Sequence, residues 1–469
     1  MQRSLPAWTL AVSSIAIFMV SLDNLVVTNA LTSIREDLGA SLEALEWTVN
    51  AYTLAFAVFL LTGAALGDRF GRRRVFLLGL AIFTTASAAA ALAPTTSALI
   101  GARAFQGLGA AILAPLSLTL LSTAAPVAKR GLALGVWSGV SGLGVALGPL
   151  VGGAVIEGIS WQWIFWLNVP VGIALAPLAA RRLSESHGPA STLDLPGLAL
   201  GSTGLLGVVY GVVRGNPAGW GSTEVVASIA AGALLLAAFV AWELRAKAPM
   251  LPLHFFRSRQ FAATNGVSLA MTFGIFGSIF LLAQFFQTVQ GYSPVEAGLR
   301  TLPWTGMPMI VAPIAGLLSD RIGSRPLMAA GLFLQAAAIM WIAAVSEPDV
   351  AYGALVPAFV LGGTGMALVF APAANAVLSA VRPEEAGQAS GANNAIRELG
   401  GRRGVAVLAA VFTGAGGFET PQAFVDGLVP ALWAGSGVLV AGGLIALLIP
   451  GKRRAPAPVV GPLPEPAAA

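Results

Sequence analysis

The chain has 469 residues, 56% of them hydrophobic and only 10% charged, with a formal net charge of +5. An ordinary soluble domain carries about a quarter charged residues, so this composition excludes one. Cysteine is absent, which excludes disulfides and thiolate metal sites, and the basic residues are too dispersed to form a nucleic-acid-binding face.

A spanning helix needs about 20 mainly apolar residues. On that criterion helices are predicted over 8–31, 47–66, 75–93, 98–121, 132–156, 162–180, 196–213, 224–243, 261–285, 298–318, 326–345, 352–378, roughly 387–416 and 429–449. The reading is about fourteen spans. The first follows a short basic start but carries Asp23 and precedes many others, so it reads as an uncleaved helix rather than a signal peptide. Of the 26 lysines and arginines, 22 fall in segments assigned to one side, Arg397, Arg402 and Arg403 among them. By the positive-inside rule that side is the cytoplasm, and an even number of spans leaves both termini there.

A short charged loop occurs twice. The first copy reads Leu66-Gly67-Asp68-Arg69-Phe70-Gly71-Arg72-Arg73, and the second reads Leu318-Ser319-Asp320-Arg321-Ile322-Gly323-Ser324-Arg325. Leu, Asp, Arg, Gly and the last Arg recur at one offset, 320 − 68 = 252. Such repetition predicts two related halves, an architecture typical of secondary transporters. The offset leaves room for two further helices between the halves, filled by 196–213 and 224–243. The expected organisation is an N-terminal six-helix bundle (1–180), linkers and two extra helices (181–254), a C-terminal six-helix bundle (255–450) and a disordered cytoplasmic tail (451–469), rich in Pro and Ala.

Further patterned residues lie inside the spans. They are Leu22, Asp23, Val26, Val27, Asn29 and Ala30 in the first; Arg103, Gln106, Gly107 and Gly109 in the fourth; and Gly144, Gly148, Pro149, Gly152 and Gly153 in the fifth. Before the sixth come Trp161, Trp163, Phe165, Asn168 and Pro170. With the Asp68 loop these resemble the major facilitator superfamily, specifically its fourteen-helix drug:proton antiporter branch. The resemblance covers residues 8 to 450, and departs at Thr32, Ala64 and Gln162. It implies an all-α membrane fold of two six-helix bundles related by a pseudo-two-fold axis plus two extra central helices. It also implies proton-driven export of small amphipathic molecules.

Asp23 reads as the only acidic residue well inside a predicted span. An ionised Asp at a helix centre costs about 2.5–3.5 kcal/mol on insertion scales, so its presence needs a reason. Burial favours the neutral acid, and a nearby cation or water the ionised one. A carboxyl whose surroundings alternate can therefore take a proton from one side and release it to the other. The bland alternative is a fixed tie to Arg103. Ser14, Ser21, Asn24 and Thr28 form a polar stripe on the same helix, about 100° away from Asp23. Arg103 cannot carry a proton, but it can tune Asp23 or hold an anionic group.

The resemblance makes Gly144, Gly148, Pro149 and Gly152 a hinge and seal, beside the plain reading of tight helix packing. Asp68, Arg69, Gly71 and Arg72, with Asp320 and Arg321 as a weaker copy, are expected to latch the cytoplasmic face, Asp68 against a helix N-terminus of the other half. Asn24, Gln106, Asn375, Asn394 and Arg397 are candidate substrate contacts, although helix–helix hydrogen bonds suit the amides equally.

The pair Arg402-Arg403 gives two answers. Hydropathy places it at the cytoplasmic edge. Matching Gly131, Gly135, Gly144 and Gly148 to Gly387, Gly391, Gly400 and Gly404, an offset of 256, places it deep in a helix. If the match holds, cations outnumber acids near the cavity, and an anionic, zwitterionic or neutral substrate is favoured over a dication.

ATP-driven transport is excluded, because Lys129, Lys247 and Lys452 are the only lysines and none follows a phosphate loop. No nucleophile or His/Asp/Glu constellation suits an enzyme, and His187 and His254 lie in linkers. The expectation is a monomeric proton antiporter of a bacterial inner membrane. Its partners are a small-molecule substrate, protons and the lipid bilayer, and a proton gradient stands in place of any cofactor or metal. A proton-coupled metabolite importer is the alternative on the same fold.

Overall fold

The computed structural model describes residues 7–126, 129–188, 194–246, 249 and 251–451, and among them there are helices but no strand. Lipid offers backbone N–H and C=O groups no water, so each span must satisfy its own, as helices do. In chain order the helices are α1 (Ala7–Leu38), α2 (Leu42–Phe70), α3 (Arg72–Ala91), α4 (Thr96–Ala124), α5 (Arg130–Gly158), α6 (Trp163–Trp166), α7 (Asn168–Arg182), α8 (Leu195–Ala218) and α9 (Thr223–Glu243). They continue with α10 (Arg259–Gln284), α11 (Pro294–Thr305), α12 (Met307–Ile322), α13 (Ser324–Val345), α14 (Tyr352–Ser379), α15 (Ala386–Ala415) and α16 (Pro421–Leu447). Ser41, Thr95, Ser222, Ser258, Ser293 and Thr420 start six of them, each side chain accepting a first-turn N–H that would otherwise lack a partner.

Among the described residues, 13 helical stretches are long and apolar enough to span a membrane. Two of these are bent rods. α6 and α7 make one crossing, and α11 and α12 make another that breaks at Gly306, between Pro303 and Pro308. The remaining long helix is α15, at 30 residues. Arg397, Glu398, Arg402 and Arg403 lie along its middle, which is why hydropathy reads this stretch poorly. The first turn of α15 stands at Ala386 and that of α5 at Arg130, so the internal repeat, not the hydropathy reading, places these charges correctly. Arg397, Arg402 and Arg403 therefore leave the set of charges assigned to one membrane face.

α1 to α7 pack as one bundle and α10 to α16 as another, while α8 and α9 pair with each other and α8 leans on α2. The bundles meet where α5 crosses α11, α12 and α14, and where α15 crosses α2 and α4. Glycine makes the first seam close. A Cβ at Gly131 would overlap the Gly316 carbonyl, and one at Gly135 the Ala312 carbonyl. The related seam sets Gly391 against Ala64 and Leu61. Small residues let backbones approach in lipid, where packing rather than the hydrophobic effect joins helices. The tail from residue 452 lies outside the described residues.

Candidate functional site

Asp23 lies inside the N-terminal bundle, with no exposed surface. Arg103 of α4 is equally buried, and its Nη1 donates to Asp23 Oδ2 at 2.6 Å. The other carboxylate oxygen accepts from Gln106 Nε2 at 2.7 Å and from Asn168 Nδ2 of α7 at 2.8 Å. Ser87 Oγ of α3 faces the same two amides, at 2.6 Å and 3.2 Å. Arg103 Nε donates to the Thr48 carbonyl of α2 at 3.3 Å, and its guanidinium lies 4.2 Å from the Tyr52 ring centroid and 5.7 Å from that of Phe165. Tyr52 in turn donates to the Val20 carbonyl at 3.4 Å.

The local sequence explains this convergence. Gly107 sits where any Cβ would overlap the Tyr52 carbonyl, so α2 and α4 close up and carry Arg103 over the Tyr52 ring. Gly109 does the same against α3 at Gly79 and Phe83. Arg103 and Gln106, three apart, then share a face toward α1. A buried ion pair repays its desolvation only when further hydrogen bonds satisfy both partners. Asp23 has three donors here, whereas one Arg103 nitrogen, Nη2, is buried without a partner. Of the polar stripe of α1, Ser21 faces α5, its Oγ meeting Ser141 Oγ at 2.9 Å, and the side chain of Thr28 lies outside the described residues. Asn24 keeps part of its surface and is not drawn into the pocket.

Gln106, expected at the substrate cavity, instead belongs to the Asp23 network. Asn375 Nδ2 donates to Ser319 Oγ at 3.2 Å and Asp320 Oδ1 at 3.4 Å, while the residue keeps part of its surface. Asn394 bonds within its own helix, to the Ser390 carbonyl at 3.0 Å. Hydrogen bonds between or within helices satisfy these amides.

Charge is also present at mid-depth in the C-terminal bundle, on α15. Asp23 is accordingly not the only acidic residue inside a span. Glu398 lies 4.0 Å from Arg402, whose Nη2 reaches across the bundle interface to the Thr53 carbonyl of α2. Arg397 stacks on Phe370 of α14, 3.9 Å from the ring centroid. Arg403 is exposed, about 120° around the helix from Arg397.

At the end of the bundle that carries the basic loops, the two Asp-Arg copies cross between halves. Asp320 Oδ1 and Oδ2 accept from the backbone N–H groups of Gly131 and Leu132, in the first turn of α5, at 3.1 Å and 3.3 Å. Asp68 lies against Gly387, in the first turn of α15, where a Cβ would overlap its carboxylate. Arg72 Nε donates to Asp68 Oδ1 and its Nη2 to the Glu384 carbonyl, both at 2.8 Å. Gly71 and Gly323 turn the chain between helices at φ +103° and +87°, a region that L side chains rarely adopt. At the same end Arg321 is exposed and Arg69 is half-buried.

Gly144 packs on Phe18 and Ser21 of α1, within its own half, while Gly131, Gly135 and Gly139 form the seam with α12. Gly148 and Gly152 are buried in α5, and the side chain of Pro149 lies outside the described residues. Ser87, Thr48 and Tyr52 escaped the sequence reading because only folding brings α2 and α3 to Asp23. Asn168 carried a signal, since it stood in the patterned segment before the sixth span.

The chain is 41% identical to the cephamycin export protein CmcT of Amycolatopsis lactamdurans over 88% of this chain and 86% of that one. It is 39% identical to the puromycin resistance protein pur8 of Streptomyces alboniger, covering 90% and 86%. It is 35% identical to the tetracenomycin C resistance and export protein of Streptomyces glaucescens, covering 91% and 80%. Among solved structures, the proton:xylose symporter XylE shares the fold with a TM-score of 0.70 at 15% identity, covering 96% of this chain and 97% of that one. Residues 13–405 match the Major Facilitator Superfamily, and the chain, a multi-pass transporter, belongs to that family.

Proposed function

We propose that this transporter exports small amphipathic molecules, drugs or antibiotics among them, across a bacterial inner membrane in exchange for protons. The basic end would face the cytoplasm, with both termini there. Its relatives are named for antibiotic resistance and export. The observation that carries the reading is the Asp23–Arg103 pair, a carboxylate with no exposed surface held by three donors at the centre of the N-terminal bundle.

A proton added to Asp23 would remove the charge on which the Arg103, Gln106 and Asn168 bonds rely. The released guanidinium would then need a new partner, which couples protonation to rearrangement of α1, α4 and α7. The Asp68 and Asp320 contacts join the two bundles at the basic end, which supports reading this state as closed there. Proton exchange and substrate release would both use the opposite side, and the reverse state would reload from the cytoplasm. Asp68, Gly71, Arg72 and Asp320, with the α5 glycines, would hold that seal.

The test is Asp23→Asn in proteoliposomes. The variant should insert and bind substrate but lose substrate-driven proton movement. Normal antiport by it would refute the assignment.

A further inference from the structure

Among the described residues, Arg397 is a cation inside a helix whose charge no carboxylate pairs. Its Nε is buried without a hydrogen-bond partner. It makes no ion pair with any described residue, and its guanidinium is held against Phe370 by the ring alone. The side chain is not sealed: Arg397 and Phe370 each keep part of their surface. On α15, Arg397 follows Ser390 by two turns and so shares its face. Ser390 Oγ points across the bundle interface to the Pro115 carbonyl of α4. Arg397 therefore looks into the space between the halves, away from the exposed face that carries Arg403.

The charge balance has the same sign. Arg103 is matched by Asp23, and Arg402 is shared between Glu398 and the Thr53 carbonyl. Arg397 is left over. An uncompensated cation at mid-depth is costly and needs a partner. A guanidinium whose carbon already lies over an aromatic ring can offer its N–H edge to a carboxylate, which it binds through two parallel N–H donors.

We propose that Arg397 and Phe370 form the anion-recognition point of the substrate site, and that this transporter carries organic anions, carboxylates or phenolates attached to an apolar aromatic body. The charge of the substrate meets Arg397 while its ring system lies beside Phe370. A monoanion neutralises the site, whereas a cation adds to a positive charge already present. This names the substrate class for the export reading above and rests on it.

The experiment is equilibrium binding to the purified full-length protein in detergent, with three probes of one shape: 1-pyrenebutyrate, its neutral amide and 1-pyrenebutylamine. Wild type should bind the carboxylate about ten-fold or more tighter than the amide, and the ammonium weakest. Arg397→Gln should erase the preference for the carboxylate and leave the amide unchanged. Arg397→Lys, which keeps the cation, should retain part of the preference and guards against a mere folding defect. Glu398→Gln, by removing a nearby negative charge, should tighten carboxylate binding.

Equal binding of all three probes, failure of the carboxylate to bind, or an equal loss for all three in Arg397→Gln would overturn the proposal. Binding in detergent needs no proton gradient, so Asp23→Asn should keep the preference for the carboxylate. Loss of coupling in that variant with the preference intact, or the reverse, separates a failure of the export reading from a failure of this one.

Discussion

Asp23 and Arg103 in the N-terminal bundle have no exposed surface and are enclosed by Gln106, Asn168, Ser87 and the Tyr52 ring. Arg397, Glu398 and Arg402 in the C-terminal bundle each keep some surface, and only one loose ion pair joins them. The two halves share a fold and matched Asp loops, yet they treat charge in opposite ways. A pocket that gives its carboxylate three donors holds one protonation state until the helices around it move, which suits coupling. An unsaturated set at the interface waits for charge from outside, which suits recognition.

The sharpest way to break this comparison is Arg103→Ala. It leaves a carboxylate sealed without its cation, and should cost about 3–5 kcal/mol in denaturant unfolding of the detergent-solubilised protein. Pairing it with Asp23→Asn should recover much of that loss; no recovery would mean that the charges are not what the pocket compensates. Next comes Asp320→Asn, which weakens two charge-assisted bonds to the first turn of α5. It should shift the equilibrium by about 1.5–3 kcal/mol toward states open at the basic end. Single introduced cysteines on α5 and α12 would report this as faster labelling, with no native cysteine to interfere.

Arg397→Gln should change unfolding stability by no more than about 1 kcal/mol, since it forfeits a ring contact and removes an orphaned donor. A loss as large as that of Arg103→Ala would erase the distinction between the two sites. The smallest effect belongs to Arg382→Ala, in the turn before α15. Arg382 Nη2 donates to Glu385 Oε1 at 2.7 Å and holds that carboxyl below the usual glutamate range. A depressed carboxylate stabilises the fold above its unfolded value, about 4.3, and loses that contribution as pH falls through its folded value. The variant should therefore be slightly less stable than wild type at neutral pH and converge with it in acid. A deficit that persisted below both values would exclude the ion pair as its cause.

Much of the fold was legible because lipid imposes a strong constraint. Long apolar runs must be helices, and a repeated Asp-Arg loop marks repeated halves. α15 was the hardest stretch to read, since charge in its middle defeats hydropathy while glycine spacing survives. Gln106 and Asn375 read as substrate candidates, beside helix–helix hydrogen bonds, because an amide in a span looks available in one dimension. In the structure the Asp23 and Asp320 carboxylates claim them.

The sequence by itself determined the spans, the two-fold repeat and the identities of Asp23 and Arg103, because periodicity and the cost of charge in lipid act locally along the chain. Only the tertiary structure decided which partners each charge has, since those lie on other helices: Asn168 is 145 positions from Asp23 and Thr53 is 349 from Arg402. Whether a buried charge is satisfied or left waiting depends on such long-range neighbours, and that difference separates the Asp23 pocket from the face of Arg397.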